Sequence, residues 1–151
     1  MKDLNSRKLN FLISLEYSNP PRSIRSFGRY ICDIYQGRCL ITGASVFKTD
    51  MENHHLFSNY LLETNQVPQK ERTALKYSVL NGILLEKSLH KRFHHEFGNK
   101  TTPLMMMAFI ERLEKSDPFL DKEKTRRAKS WVLSLYRELT LIYPIVRSLK
   151  L

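Results

Sequence analysis

The chain has 151 residues, of which 42% are apolar and 26% are charged. This length fits one domain with a substantial core, and the composition excludes an intrinsically disordered chain or a membrane protein. Twenty-five Lys and Arg residues against fifteen Asp and Glu give a formal net charge of +10, which favours a polyanionic partner, with nucleic acid as the first candidate.

The amino-terminal part of the chain indicates the compartment. Cys32 and Cys39 are too few for a disulfide framework, so a reducing environment is expected. The apolar stretch at 9–15 is short and runs into Glu16, which makes a poor signal peptide, and no apolar run approaches the roughly 18 residues of a membrane helix. We therefore expect a protein of the cytoplasm or of an organelle interior that is not secreted.

The first predicted helix follows a loop at 18–21, where Ser, Asn and two Pro residues interrupt regular structure. Apolar residues recur at helical spacing from Ser23 to Gln36, and Gly37 lies where a carboxyl-terminal cap is expected. The helix and its start direct three basic residues outward: Arg22, Arg25 and Arg29.

Two short strands separated by a long loop are predicted next. Residues 38–42 suggest a short extended piece before a turn at Gly43, and residues 53–57 are the first candidate strand. The polar stretch 63–76 contains a proline and is predicted to be a loop of functional length. The second strand is predicted at 83–85.

Helices are predicted for the rest of the chain. One begins at Ser88 and ends at Gly98, a second opens with Thr and Pro at 102–103, and Asp with Pro at 117–118 repeats this device. The last helix runs up to Pro144. The start of this helix is basic, which suits phosphate contacts but is also typical of a solvated charge run. The basic residues there are Lys122, Lys124, Arg126, Arg127 and Lys129.

All five histidines lie between residues 54 and 95. His90 and His94 are four apart on a predicted helix, so both imidazoles share a face and can hold one cation, although surface or core pairs have the same spacing. His54 and His55 are adjacent on a candidate strand, where neighbouring side chains point to opposite faces. One of them can then bind a metal while the other does different work, the alternative being a polar surface pair.

The segments NHHLF at 53–57 and NGILLEKSLHKRFH at 81–94 resemble the HNH endonuclease family. The spacing from Asn81 to the two helical histidines is similar to that of colicin-type DNases. The resemblance implies three metal ligands (His54, His90 and His94), a general base (His55) and a central asparagine that tethers the loop after the first strand (Asn81). An ordinary turn asparagine before Gly82 is the other interpretation of Asn81.

The resemblance also implies an α+β fold with a ββα-metal core at 38–98, an amino-terminal helical extension at 1–37 and carboxyl-terminal helices at 99–151. Many members of the family bind a structural zinc through two pairs of cysteines. The corresponding positions here are Cys39, Thr42, Glu86 and Leu89. No such zinc site is expected, and hydrophobic packing must hold the motif instead.

The implied activity is hydrolysis of DNA phosphodiester bonds with one divalent cation, Mg²⁺ or Mn²⁺, with Zn²⁺ as another option. The segment LHKRFHHEFG, followed by TTP, is similar to small homing-type nucleases, which implies a site-specific enzyme acting on double-stranded DNA as a monomer or homodimer. A nonspecific toxin-type DNase, a non-catalytic DNA-binding module and a histidine-rich zinc module are the alternatives. Arg38, His95 and the basic residues named above are candidate nucleic-acid contacts.

Overall fold

The computed structural model describes the backbone of residues 2–151 and the side chains of residues 5–151. The fold is α+β, rich in helix, with one two-stranded sheet. Its helices and strands follow in chain order: α1 (Lys2–Ser18), α2 (Ile24–Ile34), β1 (Met51–His55), α3 (Asn59–Thr64), α4 (Gln69–Lys76), β2 (Gly82–Glu86), α5 (Lys87–Phe97), α6 (Pro103–Ser116) and α7 (Lys122–Ile142), with 3-10 turns at Val79–Asn81 and Pro144–Ser148. Within this described part, none of the helices combines the length and apolar character needed to cross a membrane.

The two strands are antiparallel and lie between α2 on one face and α5 on the other. His54 is opposite Ile83 and His55 is opposite Gly82 in the register. Gly82 permits the approach of α2, because a Cβ atom there would lie 2.6 Å from Phe27 and 2.5 Å from Ile31. The sheet is therefore held close to both helices that surround the histidines.

The predicted helix at 23–36 is confirmed as α2, with slightly shorter bounds. Ser23 is its N-cap and forms a reciprocal capping box with Ser26. Gly37 follows the helix at a φ of +63°, which glycine adopts without steric cost.

The helix predicted from 102–103 is also confirmed, since Thr102 caps α6 and Pro103 occupies its first turn. The start predicted at Asp117 for the last helix is wrong. Asp117 accepts a hydrogen bond from the Phe119 N–H within the connection, and Asp121 instead accepts from the first N–H groups of α7. The helix ends before Pro144, as predicted.

The loop predicted at 63–76 is wrong, because the end of α3 and all of α4 lie there. Ser58 caps α3 by accepting from the Leu61 N–H at 3.2 Å. Leu75 of α4 is fully buried and anchors that helix despite its polar sequence. The extended piece predicted at 38–42 is reduced to a single bridge between Arg38 and Ser45.

Both predicted strands are present with different bounds. The first was expected at 53–57, but β1 ends at His55, since the Leu56 N–H donates to the Asn81 carbonyl instead of continuing the ladder. The second extends the predicted 83–85 by one residue at each end. The first shift matters, because it adds Met51 and Glu52 to the strand that carries the histidines.

The core joins the sheet to the carboxyl-terminal helices. Trp131 of α7 donates its indole N–H to the Tyr35 hydroxyl at 2.9 Å, and that hydroxyl donates to the Gly82 carbonyl at 3.0 Å. Tyr35 is buried, and burial raises its pKa above the usual range of a tyrosine. The hydroxyl therefore stays protonated and links α7 to β2.

Candidate metal centre

Three of the five histidines converge between β1 and α5. His54 comes from the strand, and His90 and His94 come from one face of the helix. One ring nitrogen from each lies within 4.8 Å of the other two. The helix begins directly after β2, so its histidine face packs against β1, with Phe93 as the buried anchor. The four-residue helical spacing and the strand alternation together produce the cluster.

Hydrogen bonds orient the two helical histidines toward one point. His90 Nδ1 lies 2.5 Å from Glu52 Oε2, and His94 Nδ1 lies 2.8 Å from the Gly98 carbonyl oxygen. Because both partners only accept, each Nδ1 carries the hydrogen. The two Nε2 atoms are 3.0 Å apart, within hydrogen-bond distance of each other. A metal ion bound by both nitrogens would replace this contact.

His54 completes the set of donors. It is 1% exposed, and its Nε2 has no hydrogen-bond partner among the described residues. Burial, together with the neighbouring histidines, lowers the pKa of His54 well below its usual value, so its imidazole is neutral. Three converging imidazoles, of which two are oriented by hydrogen bonds, fit a divalent metal ion.

His55 lies on the opposite side of the strand and stacks on Phe27 of α2, with ring centroids 4.6 Å apart and planes 8° apart. Burial lowers the pKa of His55 to about 4; the charges of Lys76 and His90 act in the same direction, and a hydrogen bond from the ring to the Lys76 backbone opposes them. His55 Nε2 is buried and has no partner in the described part of the chain. It is therefore a neutral, available proton acceptor at pH 7.

Asn81 is fully buried and pairs with the backbone just after β1. Its Oδ1 accepts from the Phe57 N–H at 2.7 Å, and its Nδ2 donates to the Phe57 carbonyl at 3.1 Å. Both ends of the amide are thus used on one residue. This geometry fixes the chain two residues beyond His55.

Two small cavities meet at the histidines. One, of about 130 Å³, is lined by residues that include His54, His55 and His94, and the other, of about 380 Å³, extends toward α2. Asn53, His55 and His90 line both. Sequence reasoning did not select Glu52 or Asn53. Glu52 lies two residues before His54, outside the strand predicted to begin at 53, and Asn53 lies one residue before His54 at the start of that predicted strand.

The candidate nucleic-acid contacts are spread over other surfaces. Arg22, Arg25 and Arg29 are exposed on or just before α2, whose Phe27 reaches the larger cavity, and His95 is exposed on α5 outside the cluster. Arg38 and most basic residues of α7 contact groups within the fold. Arg38 donates to the Gly43 carbonyl and Lys124 donates to the Thr42 carbonyl. Arg126 and Arg127 pair with the Glu123 carboxylate, Lys129 pairs with the Glu114 carboxylate, and Lys122 is exposed.

The positions of the missing zinc ligands are packed and hydrogen-bonded. Cys39 is 2% exposed within the core, and Leu89 packs against that core. The Thr42 hydroxyl donates to Glu86 Oε2 at 2.8 Å. These contacts join the loop after α2 to the end of β2 without a metal.

Comparison with known proteins supports one assignment. The family model described as HNH endonuclease matches residues 39–97, about two fifths of the chain. The match includes both strands and α5, and with them the histidine cluster, His55 and Asn81. Searches of curated proteins and of solved structures find no match to this chain.

Proposed function

We propose that the protein is a metal-dependent endonuclease that hydrolyses DNA phosphodiester bonds, because residues 39–97 match the model of the HNH endonuclease family. The observation that carries the proposal is the convergence of three imidazoles beside a fourth, His55, which has an unpartnered nitrogen. A structural or DNA-binding version of the motif would have no need of that fourth group.

The fold assigned to this activity is a ββα-metal core at 38–98, formed by β1, β2 and α5. The helical extension at 1–37 and the carboxyl-terminal helices at 99–151 are proposed as its supports. Phe27 of the extension stacks on His55. Trp131 of the carboxyl-terminal part donates to the hydroxyl of Tyr35 in the extension, and that hydroxyl donates to the Gly82 carbonyl of the core. Both added regions therefore contribute to the position of the core.

Each residue of the site has a proposed role in hydrolysis. A divalent cation, Mg²⁺ or Mn²⁺ with Zn²⁺ as another option, would be held by His54, His90 and His94 and would offset the charge that develops on the scissile phosphate. His55 Nε2 takes a proton from the attacking water, because its lowered pKa keeps it neutral.

Two further residues position these groups. Glu52 keeps a hydrogen on His90 Nδ1, which leaves Nε2 free to bind the ion. Asn81 fixes the backbone after His55 through both ends of its amide. Both side chains act through a neighbour and do not contact the phosphate.

Double-stranded DNA is the proposed substrate, and a homing-type, site-specific enzyme is the proposed subclass. The net charge of +10 supports a nucleic-acid substrate. The exposed arginines of α2 lie on the helix that supplies Phe27 to the larger cavity, so we place one DNA backbone along α2. Nicking of one strand would indicate a monomer with one site, whereas double-strand cuts with a fixed stagger would indicate a homodimer.

Cleavage of supercoiled plasmid tests the proposal. Wild-type protein with Mg²⁺, Mn²⁺ or Zn²⁺ is expected to convert the plasmid to nicked or linear forms, and a chelator is expected to stop the reaction. Plasmid that is bound but left intact with all three metals would identify a non-catalytic DNA-binding module. Sequencing the ends separates a specific enzyme, with clustered ends, from a toxin-type DNase, with scattered ends.

A further inference from the structure

Asn53 carries a buried polar atom that the metal centre does not use. It lies two residues before His55, so both side chains project from the same face of β1. Asn53 Oδ1 is buried and has no hydrogen-bond partner among the residues that the structure describes. Leaving such an acceptor unpaired is unfavourable, and most buried polar atoms in folded proteins are paired. This oxygen is therefore a candidate for contact with a ligand.

The neighbouring unpartnered atom is His55 Nε2. We assign the hydrogen of the neutral ring to Nδ1, so that Nε2 carries a lone pair. Asn53 and His55 are both among the residues that line the two cavities of the site. One strand face thus carries two unpartnered atoms, the Asn53 carbonyl oxygen and the His55 imidazole nitrogen, on residues that border the same cavities.

A small molecule with two donors satisfies such a pair, and water has two O–H groups. The other side of Asn53 is closed by α2. A Cβ atom on Gly28 would lie 2.9 Å from Asn53 Nδ2, so the glycine makes room for the amide at its observed position. The amide nitrogen is therefore held against the backbone of α2.

We propose that Asn53 Oδ1 and His55 Nε2 together hold the water that attacks the scissile phosphodiester, an inference that rests on the proposed nuclease function. One O–H of this water donates to His55 Nε2 and the other donates to Asn53 Oδ1, which directs an oxygen lone pair at phosphorus. The new P–O bond forms as the bond to the leaving sugar oxygen breaks. His55 takes the first proton, the second stays on the new phosphate oxygen, and the leaving alkoxide takes a proton from solvent.

Replacement of Asn53 by leucine tests the role of its oxygen. Asn53→Leu keeps a similar shape without the acceptor, so we expect kcat to fall roughly 10- to 100-fold through misplacement of the water. The KM for DNA and the metal affinity are expected to stay unchanged. The melting temperature is expected to stay level or rise, because an unpaired buried carbonyl is removed. Met51→Leu, a volume-conserving change on the same strand face, is the matched control and is expected to keep wild-type kcat.

A second variant displaces the amide without changing it. Gly28→Ala improves the helix propensity of α2 but pushes Asn53 Nδ2 from its place. We expect a kcat below that of wild type in a protein that is folded and binds metal normally. A third variant, Asn53→Asp, keeps an acceptor oxygen and is expected to be more active than Asn53→Leu at its own pH optimum.

The outcomes separate this inference from the proposed function. A wild-type protein that fails to cleave with every metal refutes the nuclease proposal itself. If the wild type cleaves and Asn53→Leu matches its kcat, the water-holding role is refuted. A loss of metal affinity or of melting temperature in Asn53→Leu that accounts for the loss of rate also refutes it, since Asn53 would then be structural. A crystal structure with ordered water within hydrogen-bond distance of both atoms gives an independent readout.

Discussion

Two groups of buried polar atoms contact the small sheet, and they differ in how completely the protein satisfies them. In the first group, Trp131, Tyr35 and the Gly82 carbonyl form an uninterrupted series of hydrogen bonds, and the Asn81 amide uses both its ends. In the second group, the buried atoms Asn53 Oδ1, His54 Nε2 and His55 Nε2 have no partner in the described part of the chain.

The one other unpartnered side-chain atom of this kind in the described residues is Glu16 Oε2, whose carboxylate already accepts from the Tyr143 hydroxyl through its second oxygen. The unpartnered atoms are therefore concentrated at one place. Since buried polar atoms are expensive to leave unpaired, the satisfied group is expected to stabilise the fold and the unsatisfied group to bind ligands. The predictions below test this division.

The largest expected effect is on cleavage. His55→Ala should lower the cleavage rate about 10² to 10⁴-fold, the usual contribution of a positioned general base, while metal and DNA binding remain. Gel-based cleavage, calorimetric metal titration and a DNA-binding assay measure these three quantities separately. A wild-type cleavage rate, or a loss of metal binding in this variant, would show that base and ligand are wrongly assigned.

The sequence predicted the centre of the site better than its edges. The helix with His90 and His94 followed from apolar spacing and from Gly98, which caps α5 at a φ of +73°. Asn81 was selected by resemblance to a family, since its local sequence also fits a simple turn. Glu52 was missed because the strand was predicted to start at 53 and because a partner of a histidine leaves no periodic pattern. Asn53 was inside the predicted strand, but no sequence pattern marks an unpartnered amide oxygen.

The predicted loop at 63–76 failed for a different physical reason. That stretch has few apolar residues, so its hydrophobic pattern is weak. Its structure depends on Leu75, which is buried by tertiary packing, and on the hydroxyl of Ser58, which lies before the stretch and accepts a capping hydrogen bond from the Leu61 N–H. Tertiary burial of a few side chains overrides local composition here. The same packing brings Lys76 next to His55, which no sequence pattern indicated.

The next effect is on metal affinity. His90→Ala removes a proposed ligand, and Glu52→Gln weakens the hydrogen bond that orients it. We expect Glu52→Gln to lower affinity for Mn²⁺ or Zn²⁺ about 10- to 100-fold, and His90→Ala to lower it further. Isothermal titration measures both. Glu96→Gln is the matched control, because that carboxylate lies on the same helix but pairs with Arg92 and Arg112. Equal affinities in Glu52→Gln and wild type would remove Glu52 from the site.

The satisfied group should instead show its effect in stability. Tyr35→Phe leaves the Trp131 N–H and the Gly82 carbonyl without their shared partner, so we expect the free energy of unfolding to fall by about 1–3 kcal/mol. Urea denaturation of the metal-free protein measures it. His54→Leu replaces an unpartnered buried imidazole and is the matched comparison, with no loss of stability expected. Equal destabilisation by both changes would contradict the division between the two groups.

The smallest effect is a dependence of stability on pH, measured without metal. The pKa of His55 is about 4 in the folded protein and about 6.5 when unfolded, so the unfolded chain binds more protons between these values. Stability is therefore fully present above pH 6.5 and falls as the pH decreases toward 4. From His55 alone we expect a loss of about 1 kcal/mol between pH 7 and pH 5.5. The lowered pKa of His54 acts in the same direction, whereas carboxylates with lowered pKa values, such as Glu52, lose their contribution only below this window.

Urea denaturation at the two pH values should show a smaller loss in His55→Leu than in wild type, because that variant has no imidazole to protonate at this position. An identical loss in both proteins would mean that His55 is solvated in the folded state, and the contrast between the two polar groups would then rest on His54 and Asn53 alone.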